Sequence, residues 1–496
     1  MKKYISKPAA LIKFMLLAVL AVSFIAACGY DDVNEEKAKA IADYYAEDSV
    51  AGSALIEAET LKSYIDAGYV TPAGKKVLIL NVAQQNGTLP DKTIKGAYAF
   101  KSESYFMEAR SDGPVTDTAM VVSGAKMDAF LRDYGIDMNT LVVLTSDNLT
   151  NPGSHSQMLA RAFWTFKYWG FSNNNVKVLN GTNQYFSKQY PDMMDTFRYG
   201  MPQPSTFSVK DLPGQQMDSY RAPIGEVLGY VKAGALKADG TGSAIMVSTM
   251  DASVAVKSNG QTITYVIGNN NLIDGRMKGE TQLALSPATA SDKVGFNNAW
   301  SQYIDTTTGK FKTNEELTAL IKGLTTDGVD AAAFLPADKS KRIMFHCKTG
   351  RTTSPHWFVV RELLGYTNAA IYDGSWQEWT NLSVYVPASK TDTFVNPNAT
   401  DYLTWDGSKF VKTDGTKANV DYSAKMRNLN WDTAKYTNFL TMSIKDNSNT
   451  YDNEYAGDGR EINTEDKNYQ AGKDSSSTGG NTGGAATGGG SAPAGC

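Results

Sequence analysis

Between residues 54 and 191, short apolar runs of strand length alternate with longer segments of helical period. Lys76-Val-Leu-Ile-Leu-Asn-Val82, Leu141-Val-Val-Leu144 and Val176-Lys-Val-Leu179 are continuously or nearly continuously apolar, the pattern of strands buried on both faces. Helices are predicted from Ala58, from Lys126 to Tyr134 with Gly135 to end it, and from Gln157 to Trp169 with Gly170 to end it. Alternating strands and helices predict a mostly parallel sheet covered on both faces. After Pro202-Gln-Pro204, which marks a boundary, the same order returns, with a first helix from Arg221 to Lys232. The expectation is therefore an α/β protein built as a degenerate tandem repeat. In that repeat Asn81-Val-Ala83 stands where the second half has Asp274-Gly-Arg276, and Asn180-Gly-Thr-Asn-Gln-Tyr-Phe186 answers Asp373-Gly-Ser-Trp-Gln-Glu-Trp379.

The divisions expected on this pattern are a leader at 1–27, an acidic spacer at 28–53, a first α/β unit at 54–194 and a second at 205–387. A C-terminal extension at 388–472 and a Gly/Ser-rich tail at 473–496 follow. Two insertions interrupt the second unit, at 233–268 with a strand over Thr262 to Ile267, and at 281–337 with a helix over Asn314 to Leu324. The extension is rich in Asn, Asp, Thr and Tyr, with strands expected at Tyr402 to Trp405 and Phe439 to Met442. The tail composition predicts disorder.

The leader has a basic start, with Lys2, Lys3, Lys7 and Lys13, and an apolar run from Phe14 to Ala27 too short to span a bilayer. Ile25-Ala-Ala-Cys28 resembles a bacterial lipobox, which makes Cys28 the expected lipidated N-terminus of an exported protein. Gly29 after it points to the outer membrane of a Gram-negative cell. Without the leader the chain has 44 basic and 52 acidic residues, a balance of −8 that gives nucleic-acid binding no support. The three cysteines allow no internal disulfide framework, the three histidines are too few and scattered for a metal cluster, and no dinucleotide fingerprint follows a strand. No cofactor is expected.

Chemistry concentrates at Arg342-Ile-Met-Phe-His-Cys347-Lys-Thr-Gly-Arg-Thr352-Thr-Ser-Pro355, a strand, then a loop opening on a cysteine, then a helix start. Ser354 is suited to the N-cap and Pro355 to the first helical position, with Gly365 to end the helix. Loop amides, the helix dipole, Lys348 and Arg351 all favour a thiolate over a thiol at Cys347. The stretch reads as a nucleophile built to handle an anion.

Cys347-Lys-Thr-Gly350-Arg-Thr352 resembles the C-x-x-G-x-T active loop of rhodanese-type sulfurtransferases. Asp373-Gly-Ser-Trp-Gln-Glu-Trp379 is similar to that family's G-S-W-x-E-W motif, and Asp274-Gly-Arg276 to its D-x-R signature. Cysteine phosphatases also open their loop with His-Cys, as His346-Cys347 does, but their arginine falls where this chain has Thr353. The resemblance implies two rhodanese-like domains, the N-terminal copy inactive because its loop lacks a cysteine. It implies sulfur transfer from thiosulfate or a similar donor to a thiophilic acceptor through a Cys347 persulfide. Arg276, Lys348, Thr349, Gly350, Arg351 and Thr352 would bind the donor, and Asp274, Trp376 and Glu378 would brace the loop. His346, beside the cysteine on a strand, is expected to face away from it. Two rival functions are reduction of selenium or tellurium oxyanions at the cell surface, and a non-catalytic role docked to a membrane electron-transfer complex.

Overall fold

In the computed structural model, the described residues are 35–83, 92–147 without 102 and 113–115, 155–196, and 204–236 without 215 and 234. They continue with 242–249, 303–305, 310–323, 335–375 without 348, then 378 and 458–473, plus the backbone of short strands between 253 and 454. Helix α1 (Glu35–Tyr44) leads into the first half. That half contains β1 (Leu55–Ile56), α2 (Ala58–Asp66), β2 (Lys76–Ala83), β3 (Tyr98–Lys101), α3 (Gly124–Asp133), β4 (Thr140–Thr145), α4 (His155–Tyr168) and β5 (Val176–Leu179). The sheet order is β1-β5-β4-β2-β3, every pair parallel, with Leu78 opposite Val142 and Leu144 opposite Val178. Residues of both alternating sets are buried, as a sheet covered on two faces requires.

The second half contains α5 (Ile224–Lys232), β6 (Ala244–Ser248), β7 (Thr281–Gln282), β8 (Arg342–His346), α6 (Ser354–Phe358, continued by a π-helical turn over Val359–Leu363) and β9 (Ala369–Ile371). Its sheet is again parallel, in the order β7-β6-β8-β9, and Arg221 forms an isolated parallel bridge to Ile371 at the β9 edge. The succession of neighbours is that of the first sheet. The protein is therefore α/β, with two parallel sheets flanked by helices.

The registers correct one expected equivalence. Ser248 lies opposite His346 just as Asn81 lies opposite Thr145. The counterpart of Asn81 is thus Ser248, not Asp274, and Asp274 and Arg276 lie outside the described residues. A hairpin of Ser253–Ser258 with Gln261–Val266 intervenes between β6 and the sequence match.

The halves share one apolar core. Phe163 of α4 packs on Trp357 and Phe358 of α6, with ring centroids 6.4 and 5.1 Å apart. Polar bonds cross the same boundary reciprocally: the Val121 amide donates to Asp373 at 2.8 Å, and the Phe311 amide donates to Asn180 at 3.0 Å. An interface this apolar holds the halves as one body rather than as two hinged units.

Two peripheral segments pack against this core. The acidic spacer is docked where it meets the first half, with Asp48 paired to buried Lys167 at 2.5 Å and Tyr45 donating to the Gly170 carbonyl at 2.8 Å. In the extension, Leu403–Trp405 is a strand as expected, the expected strand from Phe439 to Met442 lies outside the described residues, and an unexpected helix α7 (Glu461–Gln470) straps both halves. Its Asp466 accepts two bonds from Arg110, at 2.9 and 2.7 Å, and one from Tyr168 at 2.6 Å. Its Asn463 bonds Arg221 at 2.8 Å and Asp218 at 2.9 Å. Among the described residues no helix is long and apolar enough to cross a membrane.

Removing one member of a buried ion pair leaves the other uncompensated. Asp466→Ala should therefore cost about 3–5 kcal/mol in urea unfolding. A loss under about 1 kcal/mol would show that α7 lies outside the cooperative unit.

Candidate active site

Cys347 stands at the C-terminal end of β8, between β6 and β9, and is 1 % exposed. The carboxyl ends of parallel strands are where open α/β sheets place their sites. The loop that follows rests on the turn after β9. The Cys347 amide donates to Ser375 Oγ at 3.3 Å, and that hydroxyl donates to the Tyr372 carbonyl at 2.8 Å. Gly350 has φ +72°, and a Cβ there would lie 2.7 Å from the Cα and 2.8 Å from the carbonyl oxygen of Asp373. Only glycine fits that position. Ser354 Oγ donates to the Gly350 carbonyl at 2.9 Å, which closes the loop.

The helix begins one residue earlier than its sequence predicts. Thr353 is the N-cap, Ser354 the first helical residue and Pro355 the second, because the Ser354 hydroxyl is engaged by Gly350 rather than by the helix amides. Gly365, at φ +78°, ends the helix as expected. Thr352 is buried, while Thr349 and Arg351 are half-buried. Among the described residues the amides of Thr349, Gly350 and Thr352 donate to no backbone carbonyl. Lys348, Trp376, Asp274, Arg276 and Cys28 lie outside the described residues.

Beneath the loop is a buried charge cluster that the sequence pattern did not reveal. Asp373 accepts from Arg221 Nε at 2.7 Å and from the Val121 amide at 2.8 Å, with Arg161 Nη2 at 3.6 Å. Arg221 also bonds Asp112 at 2.8 Å. Arg161, from α4 of the first half, donates to the Ala119 carbonyl at 2.9 Å and lies 3.5 Å from the Gly350 carbonyl. Burial pulls its guanidinium down to about 10, which leaves it cationic at neutral pH. Its signal in the sequence was faint: a charge within Met158-Leu-Ala-Arg-Ala-Phe-Trp164, an otherwise apolar stretch of helix whose buried cation must find partners.

Glu378 is fully buried, and desolvation with the nearby Asp112 raises its carboxyl well above the usual range. Burial likewise pushes Asp117 up to about 6. His346 is buried, with Nδ1 3.3 Å from the Cys347 carbonyl. His356 of α6 is fully buried beside the Tyr303 hydroxyl, and burial takes it down to about 3, so its ring is neutral.

That depressed value has a pH signature. The unfolded chain binds the proton at 6.5 and the folded one only near 3, so this stability is complete above 6.5 and drains away as pH falls. From pH 6.5 to 5 the wild type should lose about 2 kcal/mol more than His356→Gln in urea unfolding. Equal losses would place His356 in water.

Residues 304–382 match the model of the rhodanese-like domain, and the match contains Cys347. A Haloferax volcanii protein named "Putative thiosulfate sulfurtransferase" is 24 % identical over 341 residues, covering 68 % of this chain and 97 % of its own. The sulfur carrier protein TtuD of Thermus thermophilus is 27 % identical over 279 residues, covering 54 % and 78 %. The Tum1 protein of Saccharomyces cerevisiae overlays at a TM-score of 0.42 with 17 % identity, covering 66 % and 94 %. The domain match and the curated relatives together support a sulfurtransferase of the rhodanese type.

Proposed function

We propose that the protein moves sulfane sulfur from thiosulfate, or a donor like it, to a thiophilic acceptor through a persulfide on Cys347. The observation that carries this reading is the loop itself. Cys347 ends a central parallel strand, Gly350 is pressed against Asp373 in a conformation only glycine adopts freely, and among the described residues the amides of Thr349, Gly350 and Thr352 have no backbone acceptor. Such amides are suited to an anion carried on the cysteine.

In the first step the Cys347 thiolate attacks the outer sulfur of thiosulfate. The new sulfur–sulfur bond forms as the bond to the sulfonate sulfur breaks, and sulfite leaves with the electron pair. In the second step a thiophile attacks the terminal sulfur and the thiolate is restored. Arg351, Lys348 and Arg276 are the cations proposed to hold the sulfonate end, with Thr352 donating to the persulfide. Asp274, Trp376 and Glu378 are proposed to brace the loop. Lipidation at Cys28 would hold the protein to the outer membrane, where the donor and acceptor would be small molecules of the envelope.

Thiosulfate treatment should add one sulfur, about 32 Da, to the intact soluble chain, and the gain should vanish in Cys347→Ser. A folded, reduced wild type that gains no sulfur would contradict the reading. Gly350→Ala should fold yet transfer sulfur at least about tenfold more slowly in steady state, because its Cβ displaces the loop from Asp373. Unchanged turnover would show that the Gly350 backbone is not part of the site.

A further inference from the structure

The first half carries no cysteine in its own loop, yet it sends a charged side chain to the loop of the other half. Arg161 is fully buried. Its Nη1 stands 3.5 Å from the Gly350 carbonyl, and a Cβ on Gly350 would lie 3.0 Å from that nitrogen. Its Nη2 is fixed by the Ala119 carbonyl at 2.9 Å, and its guanidinium lies over the Trp164 ring at 4.4 Å. Among the described residues its Nε has no hydrogen-bond partner.

This cation is not simply one half of an ion pair. Asp373, 3.6 Å away, is bonded at shorter range by Arg221 and by the Val121 amide. Among the other ionisable groups acting on Arg161 are Asp117, Arg221 and the Cys347 sulfur. A buried guanidinium with one good carbonyl bond and a distant, shared carboxylate is expensive to keep. Its field is strong at short range in so dry a place.

We infer that Arg161 is a positioning residue for Cys347: from the cysteine-free half it holds the Gly350 carbonyl and favours negative charge on the Cys347 sulfur, as thiolate and as persulfide. The inference rests on the proposed sulfur transfer for its purpose, and it assigns the N-terminal half an electrostatic part in the site.

The test is the second-order rate at which iodoacetamide alkylates Cys347 in the full chain, followed by mass of the Cys347 peptide across neutral pH. Arg161→Gln should slow the reaction at least about threefold at neutral pH and move its pH profile upward, and Arg161→Lys should restore it to within about twofold of wild type. A folded Arg161→Gln that reacts as fast as wild type, or a lysine variant as slow as the glutamine one, overturns the inference. Should Arg161→Gln fail to fold by circular dichroism, Asp117→Asn takes its place. It removes a carboxylate that offsets Arg161 while keeping an acceptor for the Ala119 amide, now bonded at 2.9 Å. Faster alkylation than wild type then supports the inference, and an equal or slower rate overturns it. Alkylation needs no sulfur donor, so a wild type that gains no sulfur from thiosulfate would sink the proposed function by itself and leave this result standing.

Discussion

The carboxylate of Asp373 is the point on which both halves and the reactive loop converge. It takes the Arg221 guanidinium and the Val121 amide, it faces Arg161, and its backbone is the surface on which Gly350 rests. Loss of one partner from such a buried set costs about 3–5 kcal/mol. Here the cost would fall on the geometry of the Cys347 loop as well as on stability. The counterpart of Asp373 in the first sheet is Asn180, which accepts the Phe311 amide and so returns the contact across the boundary without a charge.

From Asp373 the network runs outward through Arg221 to Asp112 and Asn463, and so to the C-terminal helix. Asp466 on that helix is nearly inaccessible, yet it is held by Arg110 and Tyr168 of the first half. A segment beyond the second sheet is thus wired to the turn that supports the cysteine loop. Because these groups are dry, their fields act over distances that water would screen. The same dryness raises the Glu378 carboxyl well above its usual range and keeps the His356 ring neutral.

Wherever apolar side chains decide the structure, the sequence was readable. The runs at Lys76 to Val82, Leu141 to Leu144 and Val176 to Leu179 are β2, β4 and β5, and glycines 135, 170 and 365 close helices at positive φ. The strand and helix on either side of Cys347 could be read because their signals are local in the chain. The pairing of Asn81 with Asp274 failed because an inserted hairpin separates β6 from the motif, and register, not motif spacing, sets structural equivalence. Helix α7 was illegible because it docks through Asn463, Asp466, Tyr469 and Gln470, with Ile462 its one fully buried aliphatic residue. Arg161 and Arg221 escaped notice because their partners lie up to 242 residues away, and nothing in a linear pattern joins position 161 to 350 or 221 to 463.

The central claim is that a buried charge cluster shared by both halves sets the geometry of the cysteine proposed to carry the sulfur. Its most direct test is steady-state thiocyanate release from thiosulfate and cyanide, measured for the wild type and for Asp373→Asn. The account predicts turnover in the wild type, and in a variant that still folds by circular dichroism a loss of at least about tenfold. A folded Asp373→Asn with undiminished turnover, or a wild type with none, would contradict it.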